Sequence, residues 1–195
     1  RLHESMRVNG EGTRIMVDAC LRHRRKLVHV GTVNTLAVGT QERPADESTP
    51  CGDGGGQVPC SYVLSKRAGV DAVKHGVSEG LQAVILAPGF MLGPWDWKPS
   101  SGRMMMALSK GWKVLAPSGG CSVCDVRDVA SATITAVAKK LSSGREFILA
   151  GENMTYKQLW TDMAERFGKP APLMAAGPMQ RWALAAMGDM VGRVC

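Results

Sequence analysis

Aromatic residues are scarce in this chain, 5% of 195, and no basic stretch is interleaved with them. A single-strand nucleic-acid groove needs stacking rings beside its cations. The net charge of +7 is therefore not read as a nucleic-acid signature, and no nucleic-acid partner is expected. Long apolar runs are missing as well: nothing approaches the ~18 to 20 continuous residues of a membrane span, so the expectation is a cytoplasmic protein with no membrane partner. The six cysteines, at 20, 51, 60, 121, 124 and 195, lack the density and spacing of a disulfide scaffold. Only "CSVC" at 121–124 has ligand-like spacing. Without a second pair or a nearby histidine it reads as structural, and no metal is expected. There is no internal repeat.

What is present suffices for one globular core with room for a small second lobe: 45% of residues are hydrophobic and 21% charged. Helical spacing of Leu2, Met6, Met16, Val17, Cys20 and Leu21 predicts an amphipathic helix over 2–23. The basic run "RHRRK" at 22–26 reads as its end, where positive charge complements the helix dipole. "KLVHVGTV" (26–33) and "LQAVILAPGF" (81–90) are β-branched, continuous apolar runs. They are too short for helices and fit parallel strands buried on both faces. The second is expected to span 82–88 and to stop at Pro88 and Gly89.

Between them, residues 39–60 are rich in proline, glycine and acid and read as a long loop. A helix is expected from 61 to about 80, then a turn-rich loop at "MLGPWDWKPSSG". A short helix at "RMMMALSKG" and a short strand at "WKVLAP" follow. The acidic start and basic end of "DVRDVASATITAVAKKL" (125–141) predict a helix. "REFILAG" reads as a strand, and 153–168 as a helix capped by Asn153 or Thr155 and ended by Gly168. Met179, Trp182, Leu184 and Met187 suggest a last apolar helix. Strands alternating with helices point to a parallel α/β sheet.

"SYVLSK" (61–66) puts Tyr62 and Lys66 one helical turn apart, on the same face and ~6 Å along the axis. The spacing alone fits either a chemical couple or a ring with an amine snorkelling beside it.

The order of pieces resembles the extended short-chain dehydrogenase/reductase, or NAD-dependent epimerase/dehydratase, family. "VNGEGTRIMVDAC" resembles its Asn-x-x-Gly-Thr helix, and "KLVHVGTV" the strand that ends in the catalytic hydroxyl. "YVLSK" is similar to its Tyr-x-x-x-Lys signature. "CDVRDVA" and "GENMTYKQL" resemble two later helix junctions. "APGFMLGPWDWKPSSG" is similar to the loop over the nicotinamide, in the form of the dihydroflavonol-reductase-like branch.

The resemblance implies an α/β fold: part of a Rossmann-type doubly wound parallel sheet with a small C-terminal α+β substrate lobe. Residues 1–90 would form the C-terminal part of the nucleotide domain, and 91–195 the lobe, interleaved with returning sheet elements. The family's glycine-rich phosphate turn has no counterpart, because "GDGGGQVP" (52–59) follows no strand. The chain opens at Arg1 in a helical pattern. The expectation is that ~70 to 80 further residues carrying strand, turn and helix precede it in the native protein. Without them the strand at 26–32 would keep a bare edge.

The chemistry implied is hydride transfer between NAD or NADP and a ketone or secondary alcohol, with Tyr62 as acid/base. A sugar-nucleotide epimerase or dehydratase of the same family is the alternative, and a truncated, non-catalytic interaction module another. A free phenol titrates near ~10, and a cation ~4 Å away at an effective dielectric of ~20 supplies about 4 kcal/mol towards ionising it. Lys66 takes that place and also holds the nicotinamide ribose. Thr32 stands where the family has its hydroxyl donor, and Asn9 where it has a helix asparagine that supports a relay water. Pro88, Gly89 and Phe90 would wall the nicotinamide. Met91, Trp95 and Trp97 would line the pocket for a small-molecule substrate. Each also has a plainer reading as strand-end, helix-kink or core residue. A homodimer through the helices at 2–23 and 61–80 is expected.

Overall fold

The computed structural model describes residues 2–40, 42–49, 60–97, 101–111 and 113–177. The expected C-terminal helix around Met179 and the glycines of 52–59 lie outside these residues. Two compact units are formed, Arg1–Gly93 with Val123–Gly151 and Pro94–Ser122 with Glu152–Cys195. Among the described residues no helix is long and apolar enough to cross a membrane.

The first unit is built on three parallel strands, β1 (Leu27–Val30), β2 (Ala83–Pro88) and β6 (Arg145–Leu149), in the order β1-β2-β6. β2 is buried along its whole length, which explains its unbroken apolar sequence. Ala83 and Ile85 face α2 (Gly12–Arg22) and α3 (Ser61–Ser78), packing with Val17, Val70 and Val73. Val84 and Leu86 point the other way, onto Ala136 of α5 (Val126–Ala138). Period-two alternation thus splits one apolar run between two helical layers. Each such fully buried side chain contributes about 1.5–3 kcal/mol. This is the doubly wound parallel arrangement expected from the sequence.

The N-terminal helix is not uniform. α1 (Leu2–Ser5) passes through a π-helical turn, Met6–Glu11, before α2 begins. α2 stops at Arg22, so most of the basic run lies beyond the helix rather than inside its last turn. Asp125 caps α5, accepting from the Arg127 N–H at 2.8 Å and from the Arg127 guanidinium. These bonds hold its carboxyl down at about 2.

In the second unit, α4 (Gly102–Ser109) packs on α6 (Tyr156–Arg166), and β4 (Leu115–Ala116) pairs in parallel with β8 (Met174–Ala175). Thr155 caps α6 in a reciprocal box with Gln158. Asn153, the other capping candidate, instead lies in a strand.

Three strands that sequence reading left as loop or helix start form a second sheet, in the order β3-β5-β7: β3 (Phe90–Leu92), β5 (Gly120–Asp125) and β7 (Glu152–Thr155). β5 carries the "CSVC" pair. Residues three apart on a strand point to opposite faces, so Cys121 and Cys124 diverge. Burial raises the pKa of both thiols.

Candidate active site

Parallel strands collect ligands at their C-terminal ends, and Thr32 and Pro88 stand there, at the exits of β1 and β2. The Gly31 N–H donates to Leu86 O at 2.7 Å, extending the β1–β2 register by one residue and leaving Thr32 at the strand exit. Thr32 is buried. Its hydroxyl accepts from the Asn34 N–H at 3.3 Å, and its carbonyl accepts from the Thr35 N–H and hydroxyl. Among the described residues the Thr32 O–H donates to nothing, so its proton is available to a bound oxygen. The 3-10 turn that follows, Val33–Thr35, packs against α3.

α3 carries Tyr62 in its first turn and Lys66 one turn later. Tyr62 is 47% exposed, and its hydroxyl is unbonded among the described residues. Lys66 is half-buried, without a hydrogen bond or counter-ion among those residues.

Asn9 lies in the π-helical turn, and its Nδ2 donates to Ser65 Oγ at 3.0 Å. Ser65 is fully buried and donates in turn to Tyr62 O at 3.0 Å. The asparagine is therefore tied to the residue beside Lys66. A π-turn displaces carbonyls from their usual partners; here Thr13 Oγ1 donates to Asn9 O at 2.6 Å.

Gly69 makes this approach possible. A Cβ there would sit 2.8 Å from Asn9 O and 3.2 Å from Thr13 Oγ1. Gly69→Ala is expected to destabilise the protein by about 1–3 kcal/mol, as overpacking against a fixed carbonyl does. An unchanged denaturant midpoint would show that the turn yields freely.

Sequence reading missed Ser65, Gly69 and His29. A glycine inside a helix, about 0.5–1 kcal/mol worse than alanine, was the one available signal. His29 faces α3 from β1. Its Cε1 lies 3.6 Å from the Cβ position of Gly69, and its Cδ2 3.9 Å from that of Gly31. Nε2, between those carbons, is buried without a partner among the described residues.

Burial first, and the Lys66 charge second, lower the His29 pKa. The unfolded chain then binds a proton where the folded chain does not, so stability falls as pH drops through the ordinary imidazole range near ~6.5. His29→Phe is expected to flatten the decline in Tm from about pH 7.5 to about pH 5. A slope equal to that of the parent protein would assign the acid sensitivity elsewhere.

Pro88 closes β2 opposite Leu149, and the Gly89 N–H donates to Leu149 O at 3.0 Å. Phe90 and Met91, both half-buried, pass into the second sheet opposite Val123 and Cys124. Trp95 and Trp97 belong to the second unit. They are 76% and 81% exposed, with ring centroids 5.7 Å apart.

Residues 1–150 match the NAD dependent epimerase/dehydratase family. The chain belongs to that family. It is 26% identical over 190 residues to sterol demethylase protein B of Methylococcus capsulatus, covering 95% of this chain and 56% of that protein. Among solved structures it is similar to gox2253, with a TM-score of 0.84 and 27% identity over 99% of this chain and 58% of the other. It is also similar to a nucleoside-diphosphate-sugar epimerase from Pseudomonas aeruginosa, with a TM-score of 0.83 and 26% identity over 96% of this chain and 61% of that one. The chain thus spans less than two thirds of the length of each.

The family implies a nicotinamide cofactor. Tyr62 and Lys66 of α3, and Thr32, whose following turn packs on that helix, are hydroxyl and ammonium donors of the kind the sugar and reacting end of such a group takes. Among the described residues no glycine-rich turn follows a strand, so the residues named here are matched to that end alone.

Proposed function

We propose that the chain carries the proton-transfer and ribose-binding part of an NAD(P)-dependent hydride-transfer site, and that the protein is a sugar-nucleotide epimerase or dehydratase. One observation carries this reading: the unpaired, half-buried cation of Lys66 lies one turn after the open Tyr62 hydroxyl on α3, the helix against which the turn after Thr32 packs. Family membership and the likeness to a nucleoside-diphosphate-sugar epimerase favour a sugar nucleotide over a simple ketone.

The nicotinamide ring, when bound, exchanges a hydride with the substrate carbon. Thr32 donates its hydroxyl proton to the substrate oxygen and fixes its position. Tyr62 takes the proton from that oxygen on oxidation and returns it on reduction. Lys66 donates to the ribose hydroxyls. Asn9, through Ser65, holds the first turn of α3 in place. Pro88, Gly89 and Phe90 wall the ring, and Met91 serves the substrate. Val8, Ile15 and Met16, all well exposed on the first helical segment, supply an apolar face for a homodimer.

Incubating the protein with NAD and a nucleoside-diphosphate sugar tests the reading. The expected result is an epimerised or dehydrated sugar with no net build-up of reduced cofactor. Stoichiometric release of reduced cofactor from a simple secondary alcohol would favour the ketone/alcohol reductase instead. Absence of both activities, with no saturable cofactor binding, would contradict the proposal and favour the interaction module.

A further inference from the structure

The edge of the β1-β2-β6 sheet opposite Thr32 carries a second feature. A half-open cleft of about 520 Å³ lies before the starts of β1 and β2 and beside the end of α5. It is lined by Arg24, Arg25, Lys26, Lys139 and Lys140 together with the partly buried Leu21 and Leu141 and the buried Leu81. No acidic side chain lines it.

The plainest explanation is charge compensation, since α2, α3 and α5 all end near this edge and a helix C-terminus acts as roughly half a negative charge. Lys26 does serve that purpose, its Nζ donating to Ala136 O and Lys139 O at the end of α5. Three helix ends, however, offset only about one and a half of five positive charges. Among the described residues no carboxylate pairs with Arg24, Arg25, Lys139 or Lys140. A surplus of positive charge therefore remains, focused by a concave wall.

Arg24 adds an independent observation. It closes α2 in the left-handed region, with φ 51°. The Arg25 N–H donates to Cys20 O at 2.8 Å and the Arg24 N–H to Leu21 O at 3.2 Å. Glycine normally completes this pattern, because a Cβ is strained there. A strained arginine on the rim of a cationic cleft points to a use for its side chain.

We propose that this cleft binds a small molecule bearing a phosphate or diphosphate on an apolar body. The arginine forks match phosphate oxygens, the leucines accept the body, and the volume falls in the roughly 300–1,000 Å³ range of small-molecule sites. The site stands at the opposite sheet edge from Tyr62 and does not depend on the proposed reaction.

Inorganic pyrophosphate, titrated into ¹⁵N-labelled protein, is the probe, because amide shifts separate this edge from the other. The expected result is saturable movement of the Gly80, Gln82 and Lys139 amides. Affinity should fall about tenfold in Arg24→Gly and again in Arg25→Ser, as loss of a charged hydrogen bond implies. Arg24→Gly should melt no lower than the parent, since it relieves the strained position, and should leave turnover unchanged. Three results would overturn the proposal: no saturable shift at these amides, the parent's affinity retained in both variants, or stronger binding of a hexaglutamate peptide at the same amides, which would mark an acidic protein segment as the partner.

Discussion

Tyr62→Phe is expected to lower turnover by about a thousandfold, within the range for removing a positioned acid/base, while cofactor affinity stays within about twofold. The split follows from geometry. The hydroxyl makes no hydrogen bond among the described residues, and the ring is 47% exposed, so its removal leaves no buried partner unsatisfied and costs the fold little. What disappears is the only phenolic proton carrier on this helix. Steady-state kinetics with nicotinamide fluorescence titration checks both halves. Loss of turnover accompanied by an equal loss of cofactor binding would place Tyr62 in binding rather than proton transfer.

Lys66→Met should behave differently and lose both. Loss of a charged group that orders the cofactor beside the reacting oxygen is expected to lower kcat about a hundredfold. Cofactor affinity should fall about tenfold as well, through lost charged hydrogen bonds to the ribose. Because an unpaired, half-buried charge is removed, Lys66→Met should also melt at the parent temperature or higher. A lower Tm would mark the lysine as a structural residue instead. Lys66→Arg keeps the charge, and should recover more of the rate than of the binding, since the planar fork reaches differently.

The layered sheet was legible because burial on both faces writes itself into composition: the Ala83–Pro88 strand has no polar position at which to hesitate. α3 was legible as a helix, whereas the cap of α6 was narrowed only to Asn153 or Thr155, and the reciprocal Thr155–Gln158 box decides between them. β5 and β7 were not. "GCSVCD" and "ENMT" have little β character, and they are strands because neighbouring segments supply the hydrogen bonds. Within the candidate site, local spacing alone pairs only Tyr62 and Lys66, which share a helical turn; Thr32, Asn9 and Pro88 to Phe90 came from the order of the family's motifs. The Asn9–Ser65 hydrogen bond joins residues 56 apart, and the His29 environment depends on glycines of two different elements. Neither leaves a local pattern to read. The π-helical turn was likewise hidden, since its sequence continues the same helical spacing.

A structure of the protein bound to its nicotinamide cofactor is the most direct test of the couple on α3. The proposed arrangement requires the Lys66 ammonium within hydrogen-bond distance of the ribose hydroxyls, the Tyr62 hydroxyl beside them, and the Thr32 hydroxyl facing the same space. A ribose seated away from Lys66, or a Tyr62 ring turned out of that space, would contradict it.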